Sequence, residues 1–529
     1  MIVKGQNRLK LNLRDGLRKV SCIFKKKFRT DRIALLFSLL AVLLGYLVSA
    51  RIFENIPHVE DEIAYLWQAR VFARGELTVP SPPKAESMLV PFVIDYAGKR
   101  FGKYPPGWPL LLGLGIRLDL QAWVNPLLAG LAVWLTYRLG RMVFDAKIGL
   151  LAAFLTLDSP IFLLNSGSLL SSNWSLVLTG VFVLAWFELF LDERPHKPGA
   201  WMLIPLVGLS LGLLALTRPL TALGVAFPFF LHGSFMLFHR DWQTRKQLIS
   251  VGLLAGGAST FLFVWQYGVT GSALTDPYTL WWSFDRVGFG PGIGIQPGGN
   301  SLVMAFSNMG IMLNAARKDL FGWGTYSWLF LPFGLWVMRR NLKAWLLAGT
   351  FLSLVGIYTL YWAQVTRFGP RYYYEGLYGL TLVSAAGIFW LAGNATQGRM
   401  RSILAAILVI GLIGYDIAFY LPNRLGNMRD LYGISRSQLV PFLTPQAQAM
   451  TPALVFVHLE DGITYGNLGK DWPRYGGLLE LEDPWLTGPF IFAVSHGVVE
   501  DQALAADYPG RRVIYYDPGA PNTFYDSPR

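Results

Sequence analysis

The chain has 529 residues, of which 53% are hydrophobic, 15% aromatic and only 15% charged. Soluble globular proteins carry about a quarter of charged residues, so the composition excludes that class and indicates a protein solvated by lipid. The net charge of +13 lies in short segments between apolar runs, which argues against a nucleic-acid partner. The single cysteine, Cys22, excludes a disulfide framework and a cysteine metal site.

The N-terminal segment is rich in Lys and Arg and precedes an apolar stretch at 33–50. We predict that residues 1–32 form a basic cytoplasmic tail and that 33–50 is the first membrane span. The alternative is a cleavable signal peptide, because Val48-Ser49-Ala50 fits a small-residue cleavage rule. The long basic region and the many apolar stretches that follow favour the span.

Apolar stretches that can cross about 30 Å of hydrocarbon recur along the chain. They lie at 33–50, 122–142, 148–165, 173–191, 201–217, 220–238, 249–266, 324–338, 343–362, 374–392 and 402–420. If the N-terminus is cytoplasmic, every inner loop carries Lys or Arg, including Lys197, as the positive-inside rule requires. We predict an α-helical polytopic membrane protein with about eleven transmembrane helices, its N-terminus inside and its C-terminus outside.

Long segments on the outer side separate some of these spans. The predicted transmembrane domain, 33–420, contains outside loops at 51–121 and 267–323. The second loop includes a glycine-rich stretch and then 303–320, where apolar residues recur at helical spacing and predict a surface helix. Long outside loops are where we expect a functional site.

The composition changes after the last predicted span. Residues 421–529 contain short apolar runs separated by Pro, Gly and Asp. We predict a small outside α/β domain with a helix near 499–507 and three strands. The predicted strands lie at 453–457, 490–494 and 512–516.

Acidic residues follow the first span directly. At helical spacing Asp61 and Tyr65 share one stripe, while Ile63, Leu66 and Trp67 form an apolar edge suited to the membrane surface. Neighbouring carboxylates on a helix point about 100° apart, so the next acid along, Glu62, is not expected to flank one bond together with Asp61. One carboxylate acts, and the other supports it or faces elsewhere. The alternative is a solvated acidic helix start that the helix dipole favours.

A lysine and a rigid turn follow in the same outside loop. Lys103 and Tyr104 precede Pro105-Pro106 at the start of an apolar segment. Proline fixes the start of a helix and would present Lys103 at the membrane interface. The alternative is that Lys103 extends its amine to water along an apolar surface.

Two arginines lie at the outer ends of predicted spans. Arg218 precedes Pro219, and Arg371 lies in a short outside loop. Their positions oppose the positive-inside trend, so they require a specific partner such as a phosphate. The alternative is structural pairing with Asp61, Asp276 or Asp285.

Together these elements resemble those of the GT-C membrane glycosyltransferases. The resemblance covers roughly residues 30–420 and favours the branch that contains the protein O-mannosyltransferases and lipid A aminoarabinose transferases. It rests on Asp61-Glu62, on Tyr65, on Lys103-Tyr104-Pro105-Pro106 and on Gly369-Pro370-Arg371-Tyr372. Such enzymes transfer a sugar, usually with inversion, from a polyprenyl-phosphate carrier to an acceptor outside the cytoplasm. The resemblance implies a multi-pass protein of the cell inner membrane with its active site on the extracytoplasmic face.

The resemblance also implies roles for individual residues. Asp61 would be the general base that deprotonates or orients the acceptor hydroxyl, supported by Glu62. Lys103 matches the lysine at the lipid phosphate, and Arg218 and Arg371 join it by their predicted location. Cations directed at the leaving phosphate would stabilise its growing charge. We expect three tyrosines to contact the substrate, namely Tyr65, Tyr104 and Tyr372.

The expected partners are a polyprenyl-phosphate-linked sugar donor, membrane lipids and an extracytoplasmic glycan, lipid or protein acceptor. Ile63-Ala64 follow the acidic pair where aminoarabinose transferases carry polar residues, which argues against that particular activity. No cofactor is required, and a divalent cation at the acidic pair stays open although no second set of ligands is evident. The alternative function is a transporter or flippase for a lipid-linked glycan, which would place ionisable residues within broken helices near the bilayer midplane.

Overall fold

The computed structural model describes residues 29–192, 199–393 and 398–527. Cys22, Lys197 and all but the last four residues of the predicted basic tail lie outside them. The α-helices in the described residues are, in chain order, α1 Arg29–Arg51, α2 Glu60–Ala73, α3 Gly107–Arg117, α4 Val124–Val143, α5 Ala146–Asp158, α6 Pro160–Gly167, α7 Ser172–Phe190, α8 Leu203–Ala215, α9 Pro219–His239, α10 Trp242–Ser259, α11 Phe261–Thr270, α12 Pro277–Trp281, α13 Leu302–Asp319, α14 Leu331–Met338, α15 Leu342–Ile357, α16 Leu377–Ala392, α17 Arg399–Tyr415, α18 Leu421–Gly426, α19 Pro445–Gln448, α20 Trp472–Gly476 and α21 Val498–Ala505.

Several of these helices have the length and composition of membrane spans. Within the described residues seven helical stretches are long and apolar enough to cross a membrane, and the pair α5–α6, bent by 61°, makes eight if it forms one span. The seven are Arg29–Arg51, Ser172–Phe190, Pro219–His239, Trp242–Thr270, Leu342–Leu360, Arg371–Ala392 and Arg399–Gly433. The protein is therefore a polytopic α-helical membrane protein.

Each of the eleven predicted stretches contains a helix, but three of these helices fall short of a span. The α4 helix has 20 residues and is more polar, whereas α8 has 13 residues and α14 only 8. At 1.5 Å per residue the last two rise about 20 Å and about 12 Å, which is less than the hydrocarbon thickness. The number eleven and the predicted sidedness stay predictions.

Small residues allow close contacts between the helices. The α4 helix packs against α5 and α7. At one crossing, a Cβ added to Gly140 would lie only 2.5 Å from Cα of Gly149. Small residues that let helix backbones approach in this way are typical of helix packing in membranes.

The first outside loop contains a sheet as well as helices. Strands β1 Val79–Pro80, β2 Val93–Tyr96 and β3 Lys99–Gly102 form an antiparallel sheet in the order β1-β3-β2. Strand β3 leads directly into Lys103, so the sheet fixes the position of this lysine relative to the neighbouring α2 helix. In the second loop, the predicted surface helix at 303–320 is confirmed by α13, whose Val303 is 81% exposed.

The C-terminal region forms the predicted small α/β unit. Strands β4 Ala453–Val457, β5 Phe490–Val494, β6 Arg512–Tyr516 and β7 Phe524–Tyr525 make a sheet in the order β5-β4-β6-β7, with β4 parallel to both of its neighbours. The three predicted strands are confirmed. The helix predicted near 499–507 is α21, between β5 and β6.

This C-terminal unit packs against the first outside loop. The amide of Val494 in β5 donates to the carbonyl of Ser87 at 2.7 Å, and Arg70 of α2 donates to the carbonyl of Glu482 at 3.1 Å. Ile63 and Trp67 are buried, at 4% and 6% exposure. The expectation that they lie on the membrane surface is therefore wrong, because the C-terminal unit packs on this side of α2.

Candidate active site

The first turn of α2 carries three acidic residues, and one of them, Asp61, forms an ion pair. The helix starts with Glu60, Asp61 and Glu62, where negative charge is favoured by the helix dipole. Oδ2 of Asp61 lies 2.5 Å from Nη2 of Arg371, and Oδ1 accepts a hydrogen bond from the Tyr104 hydroxyl. Burial would raise the pKa of Asp61, but Arg371 and Tyr104 lower it below its ordinary value. Asp61 is therefore held in its charged form.

The neighbouring carboxylate, Glu62, faces away from this pair. Its Oε2 accepts the backbone N–H of His58 at 2.8 Å, and its Oε1 accepts that of Leu169 at 2.7 Å. Burial raises the pKa of Glu62 to about 7, against these two hydrogen bonds. Glu62 fastens the start of α2 to the segment after α6. The sequence left two options for Glu62, and the structure shows the one in which its carboxylate binds backbone N–H groups instead of Arg371 or Tyr104.

A second buried ion pair lies next to the first. Nη1 of Arg218 is 3.2 Å from Oε1 of Glu375 and donates to the backbone carbonyl of Arg371 at 3.1 Å. The Ser175 hydroxyl donates to the same Glu375 oxygen. The two predicted arginines are thus brought together, although 153 positions separate them. The alternative of structural pairing is found for Arg371, which pairs with Asp61. Arg218 pairs instead with Glu375, which was not among the expected partners.

Lys103 lies in an enclosed aromatic and acidic environment. The side chain is almost fully buried, and its Nζ is 3.5 Å from Oδ2 of Asp285. The Nζ also lies over four rings, at 3.6 Å from the centre of Phe92, 4.6 Å from Trp282 and 5.3 Å from both Tyr104 and Tyr278. Burial lowers the pKa of Lys103, whereas Asp285 and Asp61 oppose that shift. The alternative that Lys103 extends into water is therefore wrong.

Asp285 connects Lys103 to the segment that follows α15. Its Oδ1 accepts hydrogen bonds from the Tyr361 hydroxyl at 2.8 Å and from Nε1 of Trp362 at 3.1 Å. Tyr361 and Trp362 therefore hold the Asp285 carboxylate in place beside Lys103. Lys103 and Asp285 themselves are 182 positions apart in the sequence. A buried lysine is stable only with such a partner.

The three predicted substrate tyrosines lie around these charges. The ring centre of Tyr65 is 4.5 Å from that of Tyr104, which bonds to Asp61. Tyr372 stacks on Tyr358 at 4.4 Å and lies 5.8 Å from the guanidinium carbon of Arg218. Apart from Glu62, the predicted site residues form one connected group.

Sequence reasoning missed other residues of this group. Glu60 directly precedes Asp61, and Glu375 follows Tyr372 closely, but nothing in the sequence distinguished them from their neighbours. Asp285 was considered only as a structural partner for an arginine, and it pairs instead with Lys103. These residues could have been found by looking, for each cation at the end of a predicted span, for a carboxylate near the end of another span or in a loop.

The acidic pair is the position at which the sequence leaves a divalent cation open. Both oxygens of Asp61 and both oxygens of Glu62 are occupied by hydrogen-bond donors of the protein itself. In the part of the chain that the structure describes, no three His, Cys, Asp or Glu side chains come together as metal ligands. Hard cations prefer several oxygen ligands, and dependence on a divalent cation stays a prediction.

Two further carboxylates lie within the helices. Asp158 ends α5 at the bend before Pro160, and Asp416 begins the π-helical turn Asp416–Tyr420 that follows α17. Both side chains are buried, and both oxygens of Asp416 lack a hydrogen-bond partner in the described residues. The sequence analysis singled out neither. Ionisable residues inside membrane helices are uncommon and mark candidate functional positions.

The fold was compared with solved structures. ArnT from Cupriavidus metallidurans in the apo state matches with a TM-score of 0.55 at 13% identity, over 90% of this chain and 88% of that one. The chain has the GT-C fold. The structure of ArnT from the same organism bound to undecaprenyl phosphate matches with a TM-score of 0.54 at 14% identity, over 92% and 89% of the two chains.

An archaeal structure shows the same likeness. The oligosaccharyltransferase AglB from Archaeoglobus fulgidus, in complex with an inhibitory peptide and a dolichol-phosphate, matches with a TM-score of 0.53 at 13% identity. The match covers 93% of this chain and 69% of AglB. No family model and no curated protein sequence matches the chain.

Proposed function

We propose that this protein is an inverting glycosyltransferase that moves a sugar from a polyprenyl-phosphate donor to an extracytoplasmic glycan, lipid or protein. The observation that carries the proposal is Asp61, held in its charged form by Arg371 and Tyr104 at the start of α2. The likeness to an ArnT bound to undecaprenyl phosphate and to an AglB with dolichol-phosphate supports it. The site would lie on the extracytoplasmic face of the cell inner membrane.

The cations around Asp61 suit the departure of a phosphate. When the bond between the sugar and the carrier phosphate breaks, a phosphate diester becomes a monoester and gains negative charge. Three cations, Lys103, Arg218 and Arg371, are already in place around this position. They lie in a site with little water, where the attraction between a cation and the growing negative charge is stronger than it is in bulk water. Arg371 can contact two phosphate oxygens through its planar guanidinium, whereas Lys103 acts as a point charge. We assign all three to the donor phosphate.

Asp61 orients the acceptor. The lowered pKa keeps Asp61 ionised. An ionised carboxylate accepts charge-assisted hydrogen bonds, so it can fix the direction from which an acceptor hydroxyl approaches the sugar. Tyr65, Tyr104 and Tyr372 present aromatic faces and hydroxyl groups next to it, which suits a sugar that is both apolar on its ring faces and polar at its rim.

A transfer assay tests the proposal. The purified protein in lipid nanodiscs is incubated with radiolabelled polyprenyl-phosphate sugars and a panel of lipid, glycan and peptide acceptors. We expect label in one acceptor, with inverted anomeric configuration, and release of the carrier phosphate. Absence of both transfer and binding of undecaprenyl phosphate across the panel would contradict the proposal.

Replacing Lys103 by Ala is expected to weaken the binding of undecaprenyl phosphate. A hydrogen bond to a charged group contributes about 1.5–3 kcal/mol, which corresponds to a loss of affinity of about 10- to 100-fold. The affinity is measured by titration of the lipid into the protein in nanodiscs. Lys99→Ala is the matched control, because Lys99 is exposed and lies in the strand that directly precedes Lys103. An unchanged affinity in Lys103→Ala would remove Lys103 from the phosphate site.

Transport of a lipid-linked glycan is the second candidate function. It is favoured by Asp158 and Asp416, because ionisable residues at a helix break and in a π-helical turn resemble the sites of transporters. Cysteines introduced beside Asp158 are labelled from each side of the membrane in turn. Labelling from both sides favours transport, and labelling from the outer side alone favours the transferase.

A further inference from the structure

The three carboxylates at the start of α2 differ in how their oxygens are occupied. Asp61 accepts from Arg371 and Tyr104, and the Glu62 oxygens accept two backbone N–H groups. The Glu60 carboxylate is half-buried, and apart from its own backbone N–H it has no hydrogen-bond donor or ion-pair partner among the described residues. Glu60 is therefore the one carboxylate of this turn with free oxygens.

Glu60 lies in the electrostatic field of the same site. The charged groups that act on it are Asp61 of its own helix, Arg371 before α16 and Lys103 after β3. Burial raises the pKa of Glu60 to about 7; Asp61 also raises it, and Arg371 and Lys103 oppose the shift. A proton acceptor works best when its pKa is close to the working pH, and Glu60 meets this condition.

Asp61 is poorly arranged to receive a proton. Each of its oxygens already accepts a hydrogen bond, and a proton on Asp61 would remove the charge that pairs with Arg371. The pKa of Asp61 is also lowered, which reduces its affinity for a proton. Orientation of the acceptor needs only a lone pair, whereas removal of its proton needs a free basic oxygen.

We propose that Glu60 is the proton acceptor of the transfer reaction and that Asp61 orients the acceptor hydroxyl. This role rests on the proposed function. The acceptor oxygen forms a bond to the anomeric carbon as the bond from that carbon to the carrier phosphate oxygen breaks. The phosphate leaves with the bonding electron pair, and the acceptor proton moves to Glu60, which becomes a neutral carboxylic acid. Its proton then passes to water before the next cycle.

Replacing Glu60 by Gln tests this role. We expect kcat to fall by about 10²-fold, the lower end of the range for a proton-transfer group, since water can replace Glu60 in part. Binding of undecaprenyl phosphate should change less than twofold, because Glu60 carries no assigned contact with the donor. Glu60→Asp keeps the carboxylate and should retain more activity than Glu60→Gln. Glu86→Gln is the matched control, because Glu86 is an exposed carboxylate of the same outside loop.

The pH profile distinguishes a proton acceptor from a structural residue. Glu60 must be deprotonated to act, so kcat/KM of the unaltered protein should rise with pH through a value near 7. This rise should disappear in Glu60→Gln and persist in Glu86→Gln. If the unaltered protein transfers sugar and Glu60→Gln keeps full kcat or the same rise with pH, the role of Glu60 is wrong while the proposed function stands. If the unaltered protein neither transfers sugar nor binds the carrier lipid, the proposed function fails first.

Discussion

Replacing Asp61 by Asn is expected to lower the rate of sugar transfer by about 10³-fold, the loss typical of removing a preorganised polar group from a catalytic site. Asn keeps the shape of the side chain but loses the negative charge. This charge forms the ion pair with Arg371 and strengthens the hydrogen bond that the Tyr104 hydroxyl donates. The acceptor hydroxyl then loses its strongest orienting partner, and Arg371 loses the carboxylate that fixes its position. The rate is measured as label transferred from the polyprenyl-phosphate sugar under saturating donor.

The control for this experiment is the same substitution, Asp to Asn, at a position far from the site. Asp507→Asn alters an exposed carboxylate of the C-terminal unit and should leave the rate within twofold of the unaltered protein. Thermal unfolding of Asp61→Asn shows whether the protein remains folded. A folded Asp61→Asn protein with half or more of the normal rate would exclude Asp61 from catalysis.

Replacing Arg218 by Ala is expected to destabilise the protein by about 3–5 kcal/mol, because it leaves a buried carboxylate without its cation. Glu375 is 1% exposed, and its Oε1 receives Arg218 and the Ser175 hydroxyl. The same change removes the hydrogen bond from Arg218 to the carbonyl of Arg371, which helps to place Arg371 beside Asp61. The free energy of unfolding is measured by denaturant titration in detergent micelles.

A double variant separates the charge from the packing at this position. Arg218→Met combined with Glu375→Leu removes both charges and keeps apolar volume, so it should recover most of the stability lost in Arg218→Ala. Sugar transfer should not recover, because Arg218 is assigned to the donor phosphate. An Arg218→Ala protein as stable as the unaltered one would show that the pair contributes nothing to the fold.

The sequence predicts most of the helices and the C-terminal strands for a simple reason. Long apolar stretches and short apolar runs between Pro, Gly and Asp are local signals, and β4, β5 and β6 lie where such runs were found. The sheet β1-β3-β2 gave no such signal, because its strands have only two to four residues. The number of spans is also not fixed locally, since short helices such as α14 depend on what surrounds them.

The contacts between residues of the candidate site could not be predicted from the sequence. The positions of Asp61, Lys103, Arg218 and Arg371 near the ends of apolar stretches could be read from the sequence. Their pairing did not, because Arg371 and Asp61 are 310 positions apart and only the packing of the helices joins them. The sequence also could not predict that Glu62 accepts two hydrogen bonds while Glu60 has free oxygens. This difference depends on which backbone N–H groups the fold brings to each carboxylate.

A structure of the protein with undecaprenyl phosphate bound tests the central claim most directly. We predict that the phosphate lies beside Asp61, with its oxygens at hydrogen-bond distance, about 3 Å, from Arg371 and Lys103. Lys103 would then turn from Asp285 towards the phosphate, and Arg218 would approach it from the start of α9. A phosphate bound elsewhere on the protein, with Lys103 still paired to Asp285 and Arg371 still paired to Asp61, would contradict the account.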